Sequence, residues 1–100
     1  MPGQNFTVMV AGMAQAGMED YVKEHLKQMM QHSQQEEGCI IYNVHQSTEN
    51  KREFMMYSVW VDQAAFESHN KTPAMEEFRH KLAKAMFDAQ SPKTYWTVIE

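Results

Sequence analysis

Residues 53–61 place the tightest limit on what this chain can fold into. They read as one strand, with Phe54, Met56, Ser58 and Trp60 on one face and Met55, Tyr57, Val59 and Val61 on the other, because successive side chains of a strand point to opposite sides. Both faces are largely apolar, the pattern of a strand covered on both sides. The chain has 100 residues, enough for one domain, and its helices suffice for one face of a sheet only. A second copy packing sheet to sheet would cover the other. A domain of this size buries only about 60–65% of its unfolded surface, so association adds stability that its own core cannot.

The remaining periodicities set the element order. Phe6, Val8 and Val10 alternate with Thr7, Met9 and Ala11 over residues 5–13, a period of two and hence a strand. Gln15-Ala16-Gly17 interrupts it, and Glu19 and Asp20 then open a helix, where carboxylates favour the positive end of the dipole. Met18, Val22, His25, Leu26 and Met29 recur at helical spacing opposite Lys23, Glu24, Lys27 and Gln28. This predicts a helix to about Gln34, with Gly38 at the exit. Residues 39–46 form a second strand, and Ser47-Thr48-Glu49-Asn50 is turn chemistry. Asp62 caps a short helix through His69; Thr72 and Pro73 start another. The apolar stripe of that helix is Met75, Phe78, Leu82, Ala85, Met86 and Ala89, Pro92 ends the loop after it, and residues 94–99 make a last strand.

The order β-α-β-β-(α)α-β is the ferredoxin-like split βαβ plan. It predicts an α+β fold with a four-stranded antiparallel sheet and helices on one face. Paired through its free face, the sheet would form a dimeric α/β barrel, a homodimer. One domain spans residues 1–100, without linker or internal repeat.

Composition excludes several function classes. Nine basic residues against thirteen acidic ones, a net charge of −4, do not supply the positive surface that nucleic acid requires. No charged segment followed by an apolar one opens the chain, and no apolar run approaches the roughly 20 residues that span a bilayer. The single Cys39 fits a reducing compartment. The expected location is the cytoplasm, with neither a nucleic-acid nor a membrane partner. The five histidines do not suggest a metal site. There is no HExxH, and His25 and His32 are separated by about 10 Å along a helix axis. A CxxC pair, a glycine-rich phosphate loop and a nucleophile elbow are also missing, so no cofactor is expected.

Between residues 36 and 69 lies a more specific string. Glu36-Glu37-Gly38-Cys39-Ile40-Ile41-Tyr42 is followed by Ser58-Val59-Trp60, by Ala64-Ala65 and by His69. This resembles the antibiotic biosynthesis monooxygenase (ABM) domain superfamily. Its usual run is Glu-x-Gly-Cys with Tyr three residues on, then a strand ending in Glu-x-Trp, a helix with paired Ala, and a His. The similarity spans nearly the whole chain and implies a dimeric α+β barrel. For activity it implies a set that includes quinol and polyphenol oxygenases, an isomerase of a signalling sugar phosphate and haem-degrading enzymes. One departure stands out: Ser58 replaces the Glu before the Trp and cannot position a His with charge. The haem-degrading members carry an Asn on the first strand and an iron-binding His on the last helix. Those positions fall near Val10 and Arg79, with His80 adjacent.

His69 is the candidate acid–base residue, since an ordinary pKa near 6.5 suits proton transfer at neutral pH. A His closing a helix C-terminus also gains from the dipole. Trp60 offers a flat wall and an indole N–H, and Tyr42 a phenol, for orienting an aromatic substrate; each equally suits a core. Met56, Ser58, Phe66 and Phe78 are candidate substrate-binding residues. Cys39 reads as a small buried residue, with no basic cluster to activate it. Ten methionines, among them Met29, Met30, Met55, Met56, Met75 and Met86, fall on elements that contribute to the interior. Lys71, Arg79, Lys81 and Lys84 read as a solvated helix face or a phosphate anchor.

The reading that joins these residues is a cofactor-independent monooxygenase acting on a quinol or other dihydroxylated aromatic, with O₂ as co-substrate. His69 would be the base, and Trp60 and Tyr42 would orient the ring. The alternatives are a cofactor-free isomerase of a small phosphorylated carbonyl compound and a non-catalytic dimeric module that binds an apolar ligand.

Overall fold

A computed structural model describes residues 5–86, 93–97 and 99 of the chain. The elements are β1 (Phe6–Met13), α1 (Glu19–Ser33), β2 (Cys39–Gln46), β3 (Glu53–Trp60), α2 (Gln63–Asn70), α3 (Pro73–Ala83) and β4 (Thr94–Trp96). All strand pairs are antiparallel, in the order β2-β3-β1-β4. The expected α+β, ferredoxin-like arrangement is therefore the fold.

Each helix begins where its local chemistry allows. Gly17, at φ 85°, makes the left-handed turn between β1 and α1 that a residue with a Cβ disfavours. Glu19 and Asp20 occupy the first turn of α1, and Val22, Leu26, Met29 and Ser33 form its buried stripe. Asp62 Oδ1 accepts from the Ala65 N–H at 2.8 Å and caps α2. Thr72 Oγ1 accepts from the Met75 N–H at 3.2 Å and caps α3, with Pro73 in its first turn. The same Thr72 hydroxyl donates to the His69 carbonyl at 3.0 Å. The end of α2 is thereby tied to the start of α3.

The strand registers sort the side chains as the alternation predicts. Val8 and Tyr42 both stand opposite Ser58, and Val10 and Val44 both stand opposite Met56. On this face Val8, Tyr42, Phe54 and Trp60 join Val22, Leu26, Met29, Phe66, Met75 and Leu82 in one buried cluster. On the other face Val59 is buried, Met9, Met55 and Tyr57 are half-buried, and Ile41 and Trp96 are exposed.

Three local features depart from the simple reading. A register shift lies between Cys39, opposite Trp60, and Ile41, opposite Val59. It turns Cys39 toward the helices, where it packs on the core, and leaves Ile40 exposed. Beside this bulge a Cβ on Gly38 would lie 2.5 Å from the Ala65 Cβ, so glycine allows α2 its close approach. The helical stripe ends early. Ala85 and Met86 are packed but follow α3, held by the Gln15 N–H on the Ala85 carbonyl at 2.8 Å and a bridge from Ala14 to Met86. Ala89 and Pro92 lie outside the described residues. Finally, β4 ends at Trp96, opposite Thr7, short of the expected 94–99. Of the expected strand, Val98 also lies outside the described residues.

Candidate active site

Between the sheet and the helices lies a cavity of about 360 Å³, within the size range of small-molecule sites. Val8, Val10, Tyr42, Met56 and Ser58 form its sheet wall; Leu26, Met29, Phe66, Met75 and Leu82 line its helical side. The lining is mostly apolar, with His69, Asn70, Arg79 and Lys93 added to Tyr42 and Ser58 as its polar members.

His69 is brought to this wall by α2 and is 2% exposed. Its Nδ1 lies 3.0 and 3.1 Å from the two carboxylate oxygens of Glu36, which follows α1. In the neutral ring the tautomer suited to this contact carries its proton on Nδ1 and donates it to Glu36. Nε2 then holds the free lone pair, and no described residue hydrogen-bonds it. Burial lowers the His69 pKa; the Glu36 carboxylate opposes that shift, and the Arg79 and His32 charges reinforce it. An imidazole held in this way is neutral at pH 7 and can take up a proton at Nε2.

The rings around His69 restrain it further. Its centroid is 4.5 Å from that of Trp60, 5.7 Å from Tyr42 and 6.2 Å from Phe66. Trp60 is fully buried and does not line the cavity; its indole N–H donates to Ser58 Oγ at 3.0 Å. That N–H is therefore engaged inside the protein. The Ser58 hydroxyl, as acceptor, keeps its own hydrogen to donate toward the cavity. Burial raises the Tyr42 phenol well above its usual range, an effect the nearby Ser33 hydroxyl partly offsets. Tyr42 thus stays protonated and available as a donor.

Among the residues singled out from sequence, His69, Tyr42, Met56, Ser58 and Phe66 converge on the cavity. Trp60 stands behind it, and Phe78 packs on the His32 ring at 6.1 Å without lining it. Of the methionines, Met29, Met56, Met75 and Met86 line the cavity, while Met55 is on the other face of the sheet. Sequence reasoning missed the part played by Glu36, Asn70 and Lys93. Glu36 was visible as a family-like marker, three residues before Cys39, but nothing local ties it to a His 33 positions away. With Glu36 in place, the missing carboxylate at Ser58 does not leave His69 unpartnered. Among the described residues, no cluster of three or more His, Cys, Asp or Glu side chains could hold a metal ion.

The sequence profile of the antibiotic biosynthesis monooxygenase family matches residues 5–81. The chain belongs to the ABM family. Solved structures share the ABM fold at low identity. One from Nitrosomonas europaea, provisionally named an antibiotic biosynthesis monooxygenase, superposes with a TM-score of 0.90 at 16% identity, over 99% of this chain and 94% of that one. Another of the same provisional name, from Deinococcus radiodurans, gives 0.86 at 20%, over 95% and 93%. A Bacteroides thetaiotaomicron protein of unknown function, described as a possible oxidoreductase, gives 0.87 at 18%, over 96% and 99%. No curated protein matches this ABM sequence. No helix among the described residues is long and apolar enough to cross a membrane.

Proposed function

We propose that this chain is a cofactor-independent monooxygenase of a quinol or other dihydroxylated aromatic. The observation that carries the reading is His69 on the wall of an apolar cavity with its Nδ1 held by the Glu36 carboxylate. The chemistry asks for a base, a dry pocket and hydrogen-bond donors, all supplied by the chain itself. His69 takes the substrate's phenolic proton at Nε2, and Glu36 holds the ring and steadies the imidazolium. The electron-rich anion passes one electron to O₂. The two radicals join through a new carbon–oxygen bond, and the ring hydroperoxide loses water. A dihydroxybenzene and one O₂ thus give a hydroxyquinone and one water, with the substrate supplying every electron. No flavin or metal enters that balance. Tyr42 and Ser58 direct hydrogen bonds at the substrate oxygens, Met56 and Phe66 hold the ring, and Trp60 and Phe78 support the pocket from behind. The lone Cys39 fits a reducing, cytoplasmic setting.

Oxygen uptake across a panel of quinols tests this. With an active compound, kcat/KM should rise with pH along an acid limb centred below the ordinary histidine value of 6.5, since the base works only deprotonated. An acid limb centred above that value would contradict the assignment of His69. Proton exchange on a phosphorylated carbonyl compound without oxygen consumption would favour the isomerase. Binding without turnover would favour the ligand-holding module.

The working unit on this reading is a homodimer joined through the face of the sheet away from the helices. Ile41 and Trp96 are 38% and 54% exposed there, and covering them gains about 25 cal/mol per Å² of apolar area. Light scattering at micromolar concentration should give twice the chain mass; a stable folded monomer would contradict it.

A further inference from the structure

We infer that the substrate of the His69 cavity carries a carboxylate, held at the cavity mouth by Arg79 and Lys93. The inference rests on the monooxygenase reading for the aromatic part of the molecule and adds the charged part. Arg79 and Lys93 both line the cavity and are exposed to solvent, which places them at its mouth. No Asp or Glu among the described residues lines it, in a chain with thirteen acidic and nine basic residues. The fixed charge of this cavity is therefore of the protein's minority sign.

Neither cation has an ion-pair partner among the described residues. The ion pairs among the described residues join His32 and His69 to Glu36 and Lys81 to Glu77. Arg79 spends one guanidinium nitrogen on the Asn70 carbonyl at 2.7 Å, which leaves further N–H donors of its planar fork without a described acceptor. The Lys93 ammonium rests 5.8 Å from the Phe66 ring centroid, a cation–π contact in place of an ion pair. Burial and the Arg79 charge lower the Lys93 pKa, and Arg79 also lowers that of His69. Two like charges brought together beside apolar walls are relieved by an anion between them. A carboxylate matches the Arg fork with two parallel hydrogen bonds. Because Arg79, Lys93 and His69 line one cavity, that carboxylate would be carried on the ring whose hydroxyl meets His69.

The test compares 2,5-dihydroxybenzoate with 1,4-dihydroxybenzene, the same ring without the carboxylate. Binding to the purified chain is measured by calorimetry under nitrogen, where no turnover intervenes. The carboxylated compound should bind about 10–100-fold tighter, the worth of one charge-assisted contact. Lys93→Gln should reduce that ratio, and Arg79→Gln with Lys93→Gln should bring it to within about threefold of unity. Lys93 makes no hydrogen bond to a described residue, so its variant reports on the ligand even if loss of the Arg79–Asn70 contact disturbs α3. Equal affinities in the native chain, or a ratio unchanged in the double variant, would overturn the inference. Competition by inorganic phosphate at the same concentration as the carboxylate would overturn it in favour of a phosphate site. Oxygen uptake without any preference for the charged compound would leave the monooxygenase standing and remove the carboxylate. A preference without oxygen uptake would do the reverse.

Discussion

Replacing His69 with alanine should lower turnover on an active quinol by about 10²–10⁴-fold, the usual worth of a positioned general base, while the protein stays folded. His69 is buried, so the side chain is not free of structural duty. Its hydrogen-bond partner is more tolerant: the Glu36 side chain is 22% exposed and lies 3.6 Å from His32, so it is not stranded when the imidazole goes. A loss confined to kcat, with native far-ultraviolet circular dichroism, is the expected signature. Glu36→Gln separates positioning from chemistry. The carboxylate raises the His69 pKa against the pull of burial, so its neutral replacement should move the acid limb of the pH profile to lower pH. A purely structural Glu36 would change stability and leave the profile where it was. An active preparation indifferent to His69→Ala would remove the base from the account.

Trp60→Ala should cost about 3–5 kcal/mol of stability, the range for removing a large buried aromatic, and lower Tm by more than about 10 °C. Trp60 is 0% exposed, and its ring meets Tyr42 edge-on at 6.2 Å and Phe66 at 5.9 Å. In a domain whose whole stability is about 5–15 kcal/mol, that is a large fraction. Trp60→Phe is the finer test. It keeps an apolar ring but deletes the N–H given to Ser58, a bond worth about 1 kcal/mol. The sequence offers that N–H as a handle for an aromatic substrate, a role in which affinity would suffer more than the fold. With the N–H engaged by Ser58 and Trp60 outside the cavity wall, the expected order is reversed. Thermal denaturation and KM measured side by side decide between them; an unchanged Tm with a raised KM would return the N–H to the substrate.

The contrast between His69 and Trp60 reflects what a sequence carries. Helices and strands were legible because Val22, Leu26 and Met29 repeat at helical spacing and β3 is a short run of large apolar residues between turn chemistry and the Asp62 cap. The bulge at Ile40 was not, because Cys39-Ile40-Ile41-Tyr42 is apolar throughout and continuous hydrophobicity fixes no register. His69 and Tyr42 were legible as chemistry-bearing residues; that Glu36 meets His69 is a property of how α2 lies beside the α1–β2 connection. Arg79 shares its stretch with Lys81, which pairs with Glu77 at 3.7 Å on the helix surface, and was grouped with it. Lys93 belongs to no periodic element. Its place at the cavity depends on packing that joins distant segments.

The central claim is that this chain inserts an atom of O₂ into a dihydroxylated aromatic using only its own side chains. The most direct measurement is turnover under ¹⁸O₂ with protein freed of metal and flavin, followed by mass analysis of the hydroxyquinone. The account predicts one ¹⁸O atom in the new ring hydroxyl, lost in the His69→Ala variant. Oxygen derived from water alone, or turnover that appears only when flavin or metal is added, would contradict it.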